Sequence, residues 1–194
     1  MQPVYSSIER MIALIDEPNR SACQAILMEH EKLFQTVQGS THNHQAWLGG
    51  YFDHVQEIMN IALELYIHLA ELRPLPFSIS SALLVTFLHD IEKPWKYELG
   101  ADGHLQEIES LRTKSAQHTF RAQKLKEYDI VLTPEEENAM KYVEGEFSDY
   151  SNKHRVMNPL AALCHLADVT SARIWFDHPM EENDPWQGAQ RIRI

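Results

Sequence analysis

The sequence predicts an all-α protein built as a single helical bundle, and three observations carry that prediction. Apolar residues recur at helical spacing in one segment after another. Cap and stop signals separate those segments, and no stretch alternates apolar with polar residues as a strand would. The 194 residues, 44% hydrophobic and 23% charged, suffice for one full core, and no repeat, low-complexity tract or linker divides them. Residues 1–194 therefore read as one domain.

Taken in order, Ser6 or Ser7 caps a short amphipathic segment that reaches Ile15 and stops at Asp16-Glu17-Pro18-Asn19, and Ser21 opens a second running to about Val37. These helices, within residues 5–37, are scaffolding. Residues 38–46 form a polar loop with His42 and His44. The pair can serve as ligands, but exposed loop histidines are common and a solvated loop is the plainer reading. Gly49-Gly50 opens a long helix through Leu65, with Val55, Ile58, Met59, Ala62 and Leu65 at helical spacing and His54 on or beside that face.

Pro74, Pro76 and the serines at 78, 80 and 81 turn the chain into an apolar run from Leu83 that delivers His89-Asp90 and stops at Pro94. Trp95 to Gly103 reads as a loop, and a further helix is expected from His104 or Leu105, with breaks, to about Tyr128. Thr133-Pro134-Glu135-Glu136 marks a helix start running to about Phe147, and Asn158-Pro159 launches Leu160 to Val169. The tail after Trp175, rich in Asp, Glu, Pro and Gly, reads as an irregular surface wrap.

Two features call for a partner in the interior. An apolar run ends in His89 and Asp90, and Asp168 stands between Ala167 and Val169 in an otherwise apolar helix. A buried carboxylate without a cation or donor is strongly unfavourable, and a metal ion is an economical answer. The net charge of −11 argues against a polynucleotide or an anionic membrane as the main partner, since both need a basic face. Cys23 and Cys164 lie far apart in apolar segments and read as buried thiols, in keeping with a reducing compartment. No charged-then-apolar leader opens the chain and no apolar stretch approaches the ~20 residues that span a bilayer, so a cytoplasmic location is expected.

Gly49-Gly50-Tyr51-Phe52-Asp53-His54, Leu88-His89-Asp90-Ile91-Glu92-Lys93 and Leu166-Ala167-Asp168 together resemble the HD-domain superfamily of metal-dependent phosphohydrolases. The resemblance implies an HD core over about 47–176, followed by an irregular tail at 177–194. It implies one divalent ion held by His54, His89, Asp90 and Asp168; two imidazoles and two carboxylates suit manganese, iron, cobalt or nickel, and magnesium less well. Where the family's two-metal members carry further histidines, this chain reads Tyr142-Val143-Glu144. That departure favours a single ion, with room for a second magnesium brought in by substrate phosphates.

By the same resemblance, Glu92, His118 and Glu144 are candidates for orienting water or protonating a leaving oxygen. Lys93, Lys96 and Arg155 are candidates for offsetting phosphate charge, and Trp95 and Tyr142 for flanking a base or sugar. The implied activity is removal of phosphate from a small nucleotide, an adenosine-type nucleoside tri-, di- or monophosphate or an analogue such as the phosphates of oxetanocin A, which would place the chain in antibiotic biosynthesis. A housekeeping deoxynucleotide phosphatase, a cyclic-nucleotide or alarmone hydrolase, and a non-catalytic nucleotide-binding module are the alternatives. The oligomeric state is left open, a homo-oligomer included.

Overall fold

In the computed structural model, which describes residues 3–99 and 105–193, the expected helical architecture is present. The most apolar segment forms its axis. Helix α4 (Ile79–Leu88) is buried on every side from Ala82 to Leu88, and Ser78 caps its start by accepting from the Ser81 amide at 3.1 Å. Helix α3 (Gly50–Leu72) packs along α4, and α8 (Pro159–Val169) lies against both. The N-terminal helices α1 (Ile8–Ile12) and α2 (Asn19–Thr36) cover one side of this pair, and α7 (Pro134–Tyr142) covers the other. One continuous apolar core runs through them, from Ile8 to Ala167.

Most boundaries follow local chemistry. Thr133 and Glu136 form a reciprocal capping box ahead of α7, and Asn158 accepts from the Ala161 amide at 2.7 Å ahead of α8. Gly49 sits at φ +80, and a Cβ on Gly50 would lie 1.9 Å from the Gln45 carbonyl oxygen, so the Gly-Gly pair is what lets α3 begin under the preceding loop. That helix continues past the expected Leu65 to Leu72. Helix α2 starts at Asn19 and not at Ser21, whose amide is taken by the Glu17 carboxylate.

Three further expectations are corrected. Where a loop and then a helix from Leu105 were expected, Lys93–Lys96 form a one-turn helix, α5, and Tyr97–Leu99 (β1) pairs antiparallel with Leu105–Glu107 (β2) in the register Tyr97↔Glu107. Strands of three residues are too short to show an alternation. Helix α6 (Lys114–Glu127) begins only after Thr113, which caps it; His104 lies outside the described residues. Helix α7 stops at Tyr142 and not near Phe147, because Gly145 at φ +119 and Phe147 at φ +44 leave the helical region.

The tail after Trp175 straps the α3 entrance. Gln187 accepts from the Tyr5 amide at 2.9 Å, Phe176 from the Gln45 amide at 2.7 Å, and the Ile192 amide donates to Asp53 at 3.0 Å. Cys23 and Cys164 are buried free thiols. Among the described residues, no helix is long and apolar enough to cross a membrane.

Candidate metal centre

Three helices converge where α4 ends. His54 sits one turn inside α3, His89 is the C-cap of α4 in the αR region, and Asp168 lies in the last turn of α8. Each offers one ligand atom, and these atoms lie within 4.8 Å of one another, a group that can hold a metal ion. Asp90 lies beside this group, with Oδ2 at 3.1 Å from His89 Nε2 and 3.9 Å from His54 Nε2. Tight turns make this possible: the amides of Ile91 and Lys93 reach back to Leu88 and Asp90, so both His89 and Asp90 face the same side although they are adjacent.

The hydrogen bonds on the far side of each ring fix the chemistry. His89 Nδ1 is 2.8 Å from the Thr86 carbonyl, which can only accept, so Nδ1 carries the proton and Nε2 presents a lone pair. His54 Nδ1 lies 3.1 Å from Ser171 Oγ, whose own proton goes to Glu57 Oε2 at 2.6 Å, so this ring is held in the same tautomer. Both Nε2 atoms are buried and have no hydrogen-bond partner. His54 Nε2 stands 3.4 Å from Asp168 Oδ1, and neither ring makes a well-aligned bond to the carboxylates it faces.

Two lone pairs facing two carboxylates is an unfavourable arrangement without a cation. Lys93 supplies one positive charge, with Nζ 2.5 Å from Asp90 Oδ2; two carboxylates less one ammonium still leaves one net negative charge. Burial pushes His54 down to about 3, keeping it neutral and available as a donor. Burial also acts to lower His89, but the charges of Asp90 and Asp168 outweigh it and raise its pKa. Asp90 and Asp168 are resisted by burial, yet Lys93 with His89 and the two imidazoles hold them below the usual carboxylate value. An interior that withholds partners from two basic nitrogens while keeping two carboxylates ionised fits a bound metal ion.

A cavity of about 320 Å³ opens above this floor. Among the sequence-predicted residues, Asp90, Asp168, Glu92, Lys93, Lys96 and Glu144 line it. Glu92, however, has both oxygens taken by Arg121, at 2.9 and 2.8 Å, in a buried bidentate pair. Glu144 is more open and pairs with Lys114. Other residues stand elsewhere. Trp95 packs among His30, Phe34 and Phe120 beneath Lys124; Tyr142 is buried and donates to Asp149; His118 is exposed on α6, where its neighbour Gln117 is the residue that faces the cavity; Arg155 is exposed ahead of α8.

The structure also gathers residues that sequence spacing did not place. His44 lines the cavity with its ring 4.4 Å from that of His54, so of the two loop histidines this one belongs to the site. Its Nδ1 is 2.8 Å from Gln45 Oε1. Gln45 is fully buried, and its amide nitrogen, with two protons to donate, is ringed by four acceptors, Glu57 Oε2, Ser171 Oγ and the carbonyls of Trp175 and His178, which fixes its oxygen as the acceptor for His44. The only sequence signal was a His-x-His just ahead of the Gly-Gly start. Against known proteins, no family model, curated protein or solved structure matches the chain.

Proposed function

We propose that the protein is a metal-dependent phosphohydrolase of the HD-domain type acting on a small nucleotide. The observation that carries this reading is the pair of buried, unpartnered Nε2 atoms facing two carboxylates on the floor of a lysine-rimmed cavity. The donor set suits manganese, iron, cobalt or nickel better than magnesium. A divalent ion bound there supplies Lewis acidity toward a phosphoryl oxygen and makes water a stronger acid.

The chain's own residues do the rest. Lys93 and Lys96 near the floor and Lys114 at the mouth offset phosphate charge. Glu144 is the carboxylate placed to orient water or hold a proton, whereas Glu92, locked to Arg121, positions its neighbours. Ser171 and the Thr86 carbonyl hold the two imidazoles with their lone pairs inward. A cavity of about 320 Å³ is at the small end for ligand sites and favours a mononucleotide, an adenosine-type phosphate or an analogue such as an oxetanocin A phosphate, over a polynucleotide.

The test is phosphate release from nucleoside mono-, di- and triphosphates with manganese, cobalt, iron, nickel and magnesium in turn, alongside metal content by elemental analysis. One ion per chain and release that chelation abolishes are expected. A chain that holds one ion yet releases no phosphate from any nucleotide would instead be a nucleotide-binding regulatory module.

A further inference from the structure

Among the described residues, Arg173 is the one cation on this cavity to which the proposed function gives no task. Lys93 pairs with Asp90, Lys96 with Glu107 at 2.8 Å and Lys114 with Glu144, while the deeper Arg121 is clamped on Glu92. Among the described residues, no ion pair or hydrogen bond engages the Arg173 side chain, which is exposed and lines the cavity together with Asp168 and Ala172. A guanidinium stays charged at every relevant pH, and its planar fork matches phosphate oxygens two at a time.

Arg173 stands on an irregular stretch of backbone. Thr170–Ile174, just past Asp168, form a π-helical turn, closed by the Trp175 amide on the Thr170 carbonyl at 3.0 Å. The same turn buries Ser171 completely against His54 and Glu57. Widened turns of this kind are rare and gather at functional sites. Here a single turn sets the outer partner of a metal-facing imidazole and aims a guanidinium without a carboxylate at the same cavity.

Resting on the phosphohydrolase reading, we propose that Arg173 binds the phosphates beyond the one at the metal, so that the site prefers di- and triphosphates to a monophosphate. The lysines, each compensated by a carboxylate, set the background charge; Arg173 gives up no partner when it engages the substrate.

The experiment is calorimetric titration of manganese-loaded protein with tripolyphosphate and with orthophosphate, the metal content being checked after each run. Arg173→Ala is expected to weaken tripolyphosphate about 10- to 100-fold, the range of a charge-assisted contact, and orthophosphate by less than about threefold. Arg173→Lys keeps the charge without the fork and is expected to recover only part of that loss. Equal weakening of both anions, or tripolyphosphate bound by Arg173→Ala as tightly as by the wild type, overturns the proposal and leaves the phosphohydrolase reading standing. Wild-type protein that retains manganese and binds neither anion overturns both.

Discussion

Two buried charged clusters lie within one cavity wall, and they are built on opposite principles. Around Glu92 every demand is met: Arg121 grips both carboxylate oxygens, and its remaining nitrogen reaches the Met140 carbonyl at 3.4 Å. Around His54 and His89 the far side of each ring is satisfied and the near side is not. A saturated cluster holds structure together, and a deliberately unsaturated one is held ready for something the chain does not supply. The difference separates residues that the family resemblance alone would group, because Glu92 and His89 are three positions apart and equally buried.

The sharpest way to break the comparison is to exchange the phenotypes. His89→Ala and Asp90→Ala are expected to abolish both metal binding and turnover while far-UV circular dichroism stays helical, since the apolar core around α4 does not depend on the ion. Full metal occupancy by elemental analysis in either variant would sink the assignment. Arg121→Ala should do the reverse. Leaving Glu92 buried and unpaired is expected to destabilise the fold by about 3–5 kcal/mol in denaturant unfolding, with one ion still bound per folded chain. A small loss of stability accompanied by loss of the metal would show that the Glu92–Arg121 pair belongs to the site after all.

The floor and the rim of the cavity differ also in how well the sequence announced them. His54, His89 and Asp168 were legible because each rides on or directly ends a regular helix whose apolar period and cap can be counted, and the Gly49-Gly50 pair marked the start of α3. Part of the rim was not legible. Gln45 is buried at φ +38, His44 faces inward beside it with Nδ1 2.8 Å from its side-chain oxygen, and Arg173 lies in a π-helical turn where a period of 3.6 does not hold. The β1–β2 hairpin is likewise too short to leave a pattern. Periodicity reports regular elements, and this rim is made of departures from them.

Glu57 gives a subtler test, since it supports His54 through Ser171 without facing the cavity. Burial pushes its pKa from an ordinary 4.5 up to about 8. Ser171 and Gln45 both donate to Oε2, which leaves Oε1 to carry the proton. The folded state therefore holds this proton across the neutral range while the unfolded chain releases it near 4.5. The contribution to stability is complete below about pH 4.5 and is lost progressively as pH rises toward 8. Glu57→Gln, which cannot ionise, is expected to flatten that slope, and urea unfolding at pH 5 and pH 8 measures it. An unchanged slope would mean that Glu57 is already ionised in the fold. Glu57→Ala leaves the buried Ser171 hydroxyl without its acceptor and should cost roughly 1–3 kcal/mol at either pH.

The smallest effect on the fold is expected at the cavity mouth, where Lys114 pairs with Glu144 but keeps 64% of its side chain exposed. An ion pair in that setting contributes at most about 1 kcal/mol, so Lys114→Ala should leave the melting temperature within about 2–4 °C of wild type. Its expected consequence is kinetic. An exposed cation at the entrance of an otherwise acidic chain acts through the field it presents to an arriving anion, so its loss should raise KM for a nucleoside triphosphate several-fold at low salt. The difference should shrink as ionic strength brings the Debye length from about 30 Å at 0.01 M to about 8 Å at 0.15 M. The floor should behave otherwise, because the Lys93–Asp90 pair is shielded from mobile ions and its removal should be felt equally at both salt concentrations. Salt-dependent loss at Lys114 with salt-independent loss at Lys93 would separate rim from floor, and a matching dependence at both positions would show that the cavity is a single solvated surface.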